Sequence, residues 1–249
     1  MPASCLAECL GRLCELTDEE HDALREVEGV RRQVRRGTVL RGEREAGSEM
    51  FVVLSGWLFG SMLLEDGRRQ ILRFHFRGDL LGGDLLGFRE APDATTALTD
   101  AEIAVIDPVS FGRLFANQPR LAALFYVSLQ AERVALTDRL TSLGRSSAKG
   151  RVAALLLWLV ERLRVSNPAT GNDFVLPMTQ EEIGDATGLT GVHVNRTLRA
   201  LERDGLIDRT RNILSLKDPQ RLAAIANRPV RTERILPGWL PAPTEGVSA

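Results

Sequence analysis

The sequence predicts an α+β chain: an N-terminal roll of short strands, a long pairing helix and a C-terminal winged helix-turn-helix. Three observations carry this. Residues 32–107 hold short β-rich runs punctuated by Gly37, Gly42, Gly47, Gly56, Gly67 and Gly78, an interval suited to tight turns. Residues 119–143 carry Leu129, Leu136 and Leu143, seven apart. Residues 179–207 hold two amphipathic stretches, each opened by a threonine and joined at a glycine. A chain of 249 residues is long enough for two cores.

Residues 1–30 form a helical segment that carries Cys5, Cys9 and Cys14, with Thr17 and Glu20 spaced as a capping box. Residues 31–116 form the β-roll, a jelly roll of antiparallel strands. Within it Phe51–Leu54 stops at Ser55-Gly56, Trp57–Leu64 turns at Asp66-Gly67 and returns as Gln70–Phe76, and Glu102–Ile106 precedes Pro108. Residues 117–144 form the long helix, opened by Pro119. Its stripe of Phe125, Leu129, Leu136, Leu140 and Leu143 suits the seam of a homodimer; the alternative is a helix lying on its own core. Gly144–Ser147 breaks the pattern, and residues 145–227 follow as a separate module. There Ala148–Arg164 reads as a helix, Phe174–Leu176 as a strand, and Leu206–Arg209 with Ile213–Leu216 as a wing. Residues 228–249 carry four prolines and read as a loosely packed tail.

Net charge is −1, yet it is unevenly spread. Residues 1–144 hold 17 Lys/Arg against 22 Asp/Glu, a net of −5; residues 145–234 hold 15 against 10, a net of +5. The second half is the one suited to a polyanion. There is no apolar run of membrane-spanning length and no leader pattern, which implies a cytoplasmic chain. No phosphate loop, nucleophile elbow or paired catalytic constellation appears, so an enzyme is not expected.

The segment TQEEIGDATGLTGVHVNRTLRALERDGLI (residues 179–207) places Ile183 and Ala186 inward on one helix and Val194, Leu198 and Leu201 inward on the next. Gly184 permits a close crossing and Gly188 a sharp turn. Such a pair inserts its second helix into the major groove. Outward there stand Val192, His193, Asn195, Arg196 and Arg199. Arg reads guanine, Asn reads adenine, and a valine suits a thymine methyl. Thr179 and Thr190 suit phosphate, as do Arg199 and the wing-tip residues Arg209 and Arg211.

The three cysteines within ten residues are not a disulfide framework. They admit three readings: an iron–sulfur cluster completed by a carboxylate such as Glu8 or Asp18, a thiol redox role, or packing among Leu6, Leu10 and Leu13. His75 reads as a partly exposed strand residue, and Arg31–Arg36, Arg68 and Arg69 as surface charge.

From about Leu16 to Asn227 the chain resembles the CRP/FNR family of bacterial transcription regulators. The resemblance rests on the glycine-spaced roll, on FHFRGDLLGGDLLG (residues 74–87), on the long helix after Asn117-Gln118-Pro119, and on the helix-turn-helix segment. It implies a cyclic-nucleotide-binding-like roll, a dimerisation helix, a two-fold operator in double-stranded DNA and contact with RNA polymerase. Two departures concern the roll. Nucleotide-binding members carry Gly-Glu-Leu and then Arg-Ser, which holds the cyclic phosphate; here Gly83-Asp84-Leu85 is followed by GFREAPDATTALTD, without Arg-Ser. cAMP is therefore not expected as ligand. The distant cysteine of the iron–sulfur members would fall near Ala104. A third departure is Val192, where many members place a glutamate that accepts from cytosine. The alternatives left open are an iron–sulfur or thiol-based sensor, a regulator that binds another small molecule or haem in the roll, and a protein-interaction module.

Overall fold

The computed structural model describes residues 4–47, 49–227 and 239–240. Two helices open it, α1 (Cys5–Leu10) and α2 (Asp18–Val27). The Thr17 hydroxyl accepts from the Glu20 amide at 3.2 Å and the Glu20 carboxylate accepts from the Thr17 amide at 2.9 Å, the reciprocal cap of α2. Eight strands follow: β1 (Arg31–Val34), β2 (Val39–Arg41), β3 (Met50–Ser55), β4 (Leu58–Leu63), β5 (Arg69–His75), β6 (Leu80–Leu81), β7 (Ala94–Ala97) and β8 (Ala101–Ile106). They form two four-stranded antiparallel sheets, β1-β8-β3-β6 and β2-β7-β4-β5.

The first sheet is apolar on both faces. Along β3, Phe51 and Val53 enter the core between the sheets with Leu58, Leu81 and Ile103. Met50, Val52 and Leu54 point the other way, onto Leu6, Leu24, Leu121 and Leu124. Side chains alternate with period two, so a strand buried on both sides reads as the unbroken run MFVVL. The helical cover comprises α1, α2, α3 (Pro108–Asn117) and the first turns of α4 (Pro119–Arg145). Arg120 at the start of α4 is tied to buried Glu20 at 2.5 Å and donates to the Glu15 carbonyl at 2.7 Å.

The outer face of the second sheet is covered by the C-terminal half: α5 (Ala148–Ser166), β9 (Asp173–Val175), α6 (Gln180–Thr187), α7 (Gly191–Arg203), β10 (Ile207–Thr210), β11 (Ile213–Leu216) and α8 (Pro219–Ala226). Trp158 of α5 lies with ring centroids 6.1 Å from Phe74 and 5.8 Å from Phe76, and Phe76 meets Trp57 edge-on at 4.8 Å. Phe59, Ile71 and Phe76 thus share one core with Val152, Leu156, Ile183 and Leu198. The expected break at Gly144 is shorter than the sequence suggests. Helix α4 runs to Arg145, and the Ser147 hydroxyl already caps α5 by accepting from the Gly150 amide at 3.1 Å.

Two expectations are corrected. Phe125 does not belong to an exposed stripe: it is 6% exposed and packs on Phe111 and Phe115 at 5.3 and 5.6 Å, because the first turns of α4 lie on the chain's own core. The outward stripe starts at Tyr126 and continues through Leu129, Leu136 and Leu140, all exposed, to half-buried Leu143. His75 is not partly exposed; it is buried, and burial together with the cations Arg73, Arg162 and Arg41 holds its pKa well below the usual histidine value. Of the tail, residues 228–238 and 241–249 lie outside the described residues; Leu240 packs on the helical cover.

Phe76 is 1% exposed at the join of roll and C-terminal half. We expect Phe76→Ala to lower unfolding free energy by about 3–5 kcal/mol in chemical denaturation. A loss below about 1 kcal/mol would contradict a shared core.

Candidate nucleic-acid interface

Helices α6 and α7 are capped as their sequences require. The Thr179 hydroxyl accepts from the Glu182 amide at 3.1 Å, and the Glu182 carboxylate accepts from the Thr179 amide at 2.6 Å. The Thr190 hydroxyl accepts from the His193 amide at 3.3 Å. Between them Gly188 adopts φ +67°, a left-handed conformation that closes α6. A Cβ on Gly184 would stand 2.4 Å from the Leu189 carbonyl oxygen, so only glycine allows α6 and the turn to approach this closely. Val194, Leu198 and Leu201 turn inward as expected, joined by buried Thr197.

The outer face of α7 presents Val192, 74% exposed, with exposed His193, Arg196 and Arg199 and half-buried Asn195. With Gln180, Glu202 and Arg203, four of these, Val192, Asn195, Arg196 and Arg199, line one open depression. Gln180 and Arg203 escaped the sequence reading, although Gln180 is the first residue of α6 and Arg203 continues the Arg196, Arg199 row. The exposed hydroxyls of Thr179 and Thr190 each accept one backbone hydrogen and keep their own proton to donate.

The wing is formed by β10 and β11, with β9 as a third strand on β11. Arg211 sits at the tip with φ +58° and is exposed. Arg209 does not: it lies on β10 opposite Leu214, and its guanidinium grips Glu202 at 2.7 and 3.0 Å. The Arg209 hydrogen bonds lower the pKa of Glu202, and the charges of Arg209 and Arg199 add to this.

The roll carries a second polar cluster. Asp84 accepts from Arg41 at 2.9 and 3.3 Å, while Asp93 lies 3.6 Å from Arg41 and 3.2 Å from Arg73. Arg41 and Asp93 are both buried. Glu132 of α4 stands 3.7 Å from Arg73, its pKa raised by burial.

The cysteines are dispersed into the packing of the first thirty residues. Cys5 is buried in the helical cover, and burial pushes its thiol up to about 11. The Cys14 sulfur accepts from Arg120 at 3.2 Å, and its pKa is likewise raised by burial. Cys9 is half-buried on α1, where a Cβ on Gly78 would meet its own Cβ at 3.1 Å. Glu8, offered by sequence as a fourth ligand, is paired with Arg77 at 2.9 Å. Among the described residues no group of three His, Cys, Asp or Glu side chains is arranged to hold a metal ion. Ala104 is buried in the same cover. These residues do not fit a cluster, and the raised thiol pKa values of Cys5 and Cys14 oppose thiolate chemistry at those two.

Two family models match the chain. Residues 31–118 match the cyclic nucleotide-binding domain, and residues 150–225 match the Crp-like helix-turn-helix domain. The chain is 36% identical over 206 residues to the nitrogen fixation regulation protein FixK of Bradyrhizobium diazoefficiens, covering 82% of this chain and 85% of the relative. It is 31% identical over 217 residues to the transcriptional activatory protein AadR of Rhodopseudomonas palustris, covering 85% and 87%. Among solved structures, FixK2 from Bradyrhizobium japonicum superposes with a TM-score of 0.71 at 29% identity, covering 79% of this chain and 96% of FixK2. Two matched domains, a capped helix-turn-helix with a basic outer face and FixK-level identity place this chain in the CRP/FNR family as a transcription regulator of the FixK/FNR type.

Proposed function

We propose that the chain acts as a homodimer on a two-fold symmetric duplex operator, and that it does so without a cyclic nucleotide. The carrying observation is the stripe on α4. Tyr126, Leu129, Leu136 and Leu140 follow one another at three- and four-residue steps, broken only at Arg133, and stand exposed on a 27-residue helix. A solvent-facing apolar seam of that length and period suits a second copy of the same helix. Residues 117–144 would then be the dimerisation helix, 31–116 the sensor-derived roll and 145–227 the reading module. RNA polymerase and a cytoplasmic setting follow from the family role and are part of the same reading; no described helix is long and apolar enough to cross a membrane.

Independence from cAMP is supported by charge. The loop that would cradle a phosphate contributes two carboxylates, Asp84 and Asp93, and the nearby cations Arg41 and Arg73 are already bound to them. An incoming phosphate would have to displace these contacts and face like charge.

On DNA, Arg196, Asn195 and His193 read base edges, Val192 lies against a thymine methyl, and Thr179, Thr190, Arg199 and Arg211 hold phosphates. Arg209 acts by neutralising Glu202 rather than by reaching the backbone itself.

Four outcomes are expected. Leu140→Glu, at a position 72% exposed in the protomer, should leave the fold intact and convert the dimer to monomer in analytical ultracentrifugation; an unchanged dimer would place the interface elsewhere. Arg196→Ala should cost about 1–3 kcal/mol and relax preference at one base pair, whereas Arg211→Ala should weaken all sequences alike and reduce the salt slope by about 1 per protomer. Titration calorimetry with cAMP should give no saturable heat; a saturable isotherm would refute the reading of the roll.

A further inference from the structure

Helix α6 has only eight residues, and its last carbonyls have no partner within the helix. The Gly184 carbonyl accepts from the Gly188 and Leu189 amides. The next three carbonyls are each taken by a side chain from a different element. Gln70 Nε2 of β5 donates to the Asp185 carbonyl at 2.6 Å. Arg139 of α4 donates to the Ala186 carbonyl at 2.9 Å. Arg151 of α5 donates to the Thr187 carbonyl at 3.2 Å. Beside them, Arg69 Nε binds the Asp185 carboxylate at 2.8 Å.

Two of these three carbonyl donors stand outside the matched helix-turn-helix domain. Arg139 also donates to the Ile71 carbonyl of β5 at 2.7 Å and lies over the Phe74 ring at 5.8 Å. One guanidinium therefore joins the long helix, the roll and the end of α6. Its named hydrogen-bond partners are carbonyls, and burial pushes its pKa down to about 10. A cation is favoured there by the negative end of the α6 dipole. The close approach at Gly184 makes α6 and the start of α7 one rigid body, so whatever holds α6 also aims α7.

We propose that Gln70 and Arg139 are positioning residues for DNA reading: by holding the end of α6 on β5 and α4, they set the orientation of each recognition helix relative to the seam between protomers. This rests on the dimer proposed above. Two recognition helices reach successive major grooves only when their separation matches about one helical turn of DNA, roughly 34 Å. A reading head hung on its module alone would tolerate several separations; one fastened to the helix that forms the seam would not.

The probe is a duplex that the full-length wild-type chain selects from a random pool, together with versions carrying one or two base pairs added or removed between half-sites. The variants are Gln70→Glu, which keeps size but cannot donate and repels Asp185, and Arg139→Met, with Arg139→Lys as the conservative rescue. The wild type should discriminate sharply among spacings. In Gln70→Glu and Arg139→Met the ratio between native and altered spacings should fall about ten-fold, on the order of one lost hydrogen bond, with single half-site affinity unchanged. Arg139→Lys should recover most of the ratio. Variants that keep the wild-type ratio overturn the proposal, whether their affinity is unchanged or uniformly lower, since uniform loss only marks fewer folded molecules. A wild-type chain that selects no two-fold duplex overturns the dimer reading instead, and this proposal with it.

Discussion

A two-sheet roll whose outer faces are apolar cannot be left bare, and the rest of the chain is arranged around covering it. Four strands with MFVVL at their centre need a helical lid, which α1, α2, α3 and the start of α4 supply. The opposite sheet, with Phe59, Ile71 and Phe76 turned outward, needs a second lid, which the DNA-reading half supplies. Burying a large apolar side chain contributes about 1.5–3 kcal/mol, so a sheet face with several of them is held firmly to its cover. The Arg139, Arg69 and Gln70 contacts then fix orientation on top of an attachment that is already apolar.

Much of this was legible in the sequence because the signals are local. Thr17 with Glu20 and Thr179 with Glu182 are capping boxes in both sequence and structure. Gly188 takes the left-handed conformation a sharp turn requires, and the hairpin glycine Gly67 adopts φ +79°. Two helices were missed for one reason. Both α3 and α8 begin at an Asp-Pro pair, Asp107-Pro108 and Asp218-Pro219, in which the aspartate caps and the proline takes the first helical position. In the sequence reading Pro108 marks only the end of a strand, and Asp218-Pro219 carries no reading at all. Other misses are long-range. Nothing near His75 in the chain announces burial, and Arg69 reads as surface charge until Asp185, 116 residues later, is brought against it. Phe125 and Leu129 share a face on paper, but only the fold says where the helix leaves its own core.

The two polar clusters show how identical residue types serve different ends. On α7 the arginines Arg196 and Arg199 are exposed, left open toward a polyanion. In the roll Arg41 and Arg73 are bound by Asp84 and Asp93, so their charge is met inside the chain. Cations left exposed recruit phosphate; cations already matched by carboxylates exclude it. The family's two domains are therefore both present, with arginines left exposed in one and paired with carboxylates in the other.

The shared core between roll and reading head limits how such a regulator can be controlled. Swinging the head away would mean exposing Trp158, Phe74 and Phe76 to water at once. With the head set in each protomer, the variable left in the proposed dimer is the pairing of protomers. Below the dimerisation constant, occupancy of a two-fold site grows with the square of protomer concentration. For the proposed dimer, a two-fold change in synthesis or degradation would become about a four-fold change in dimer.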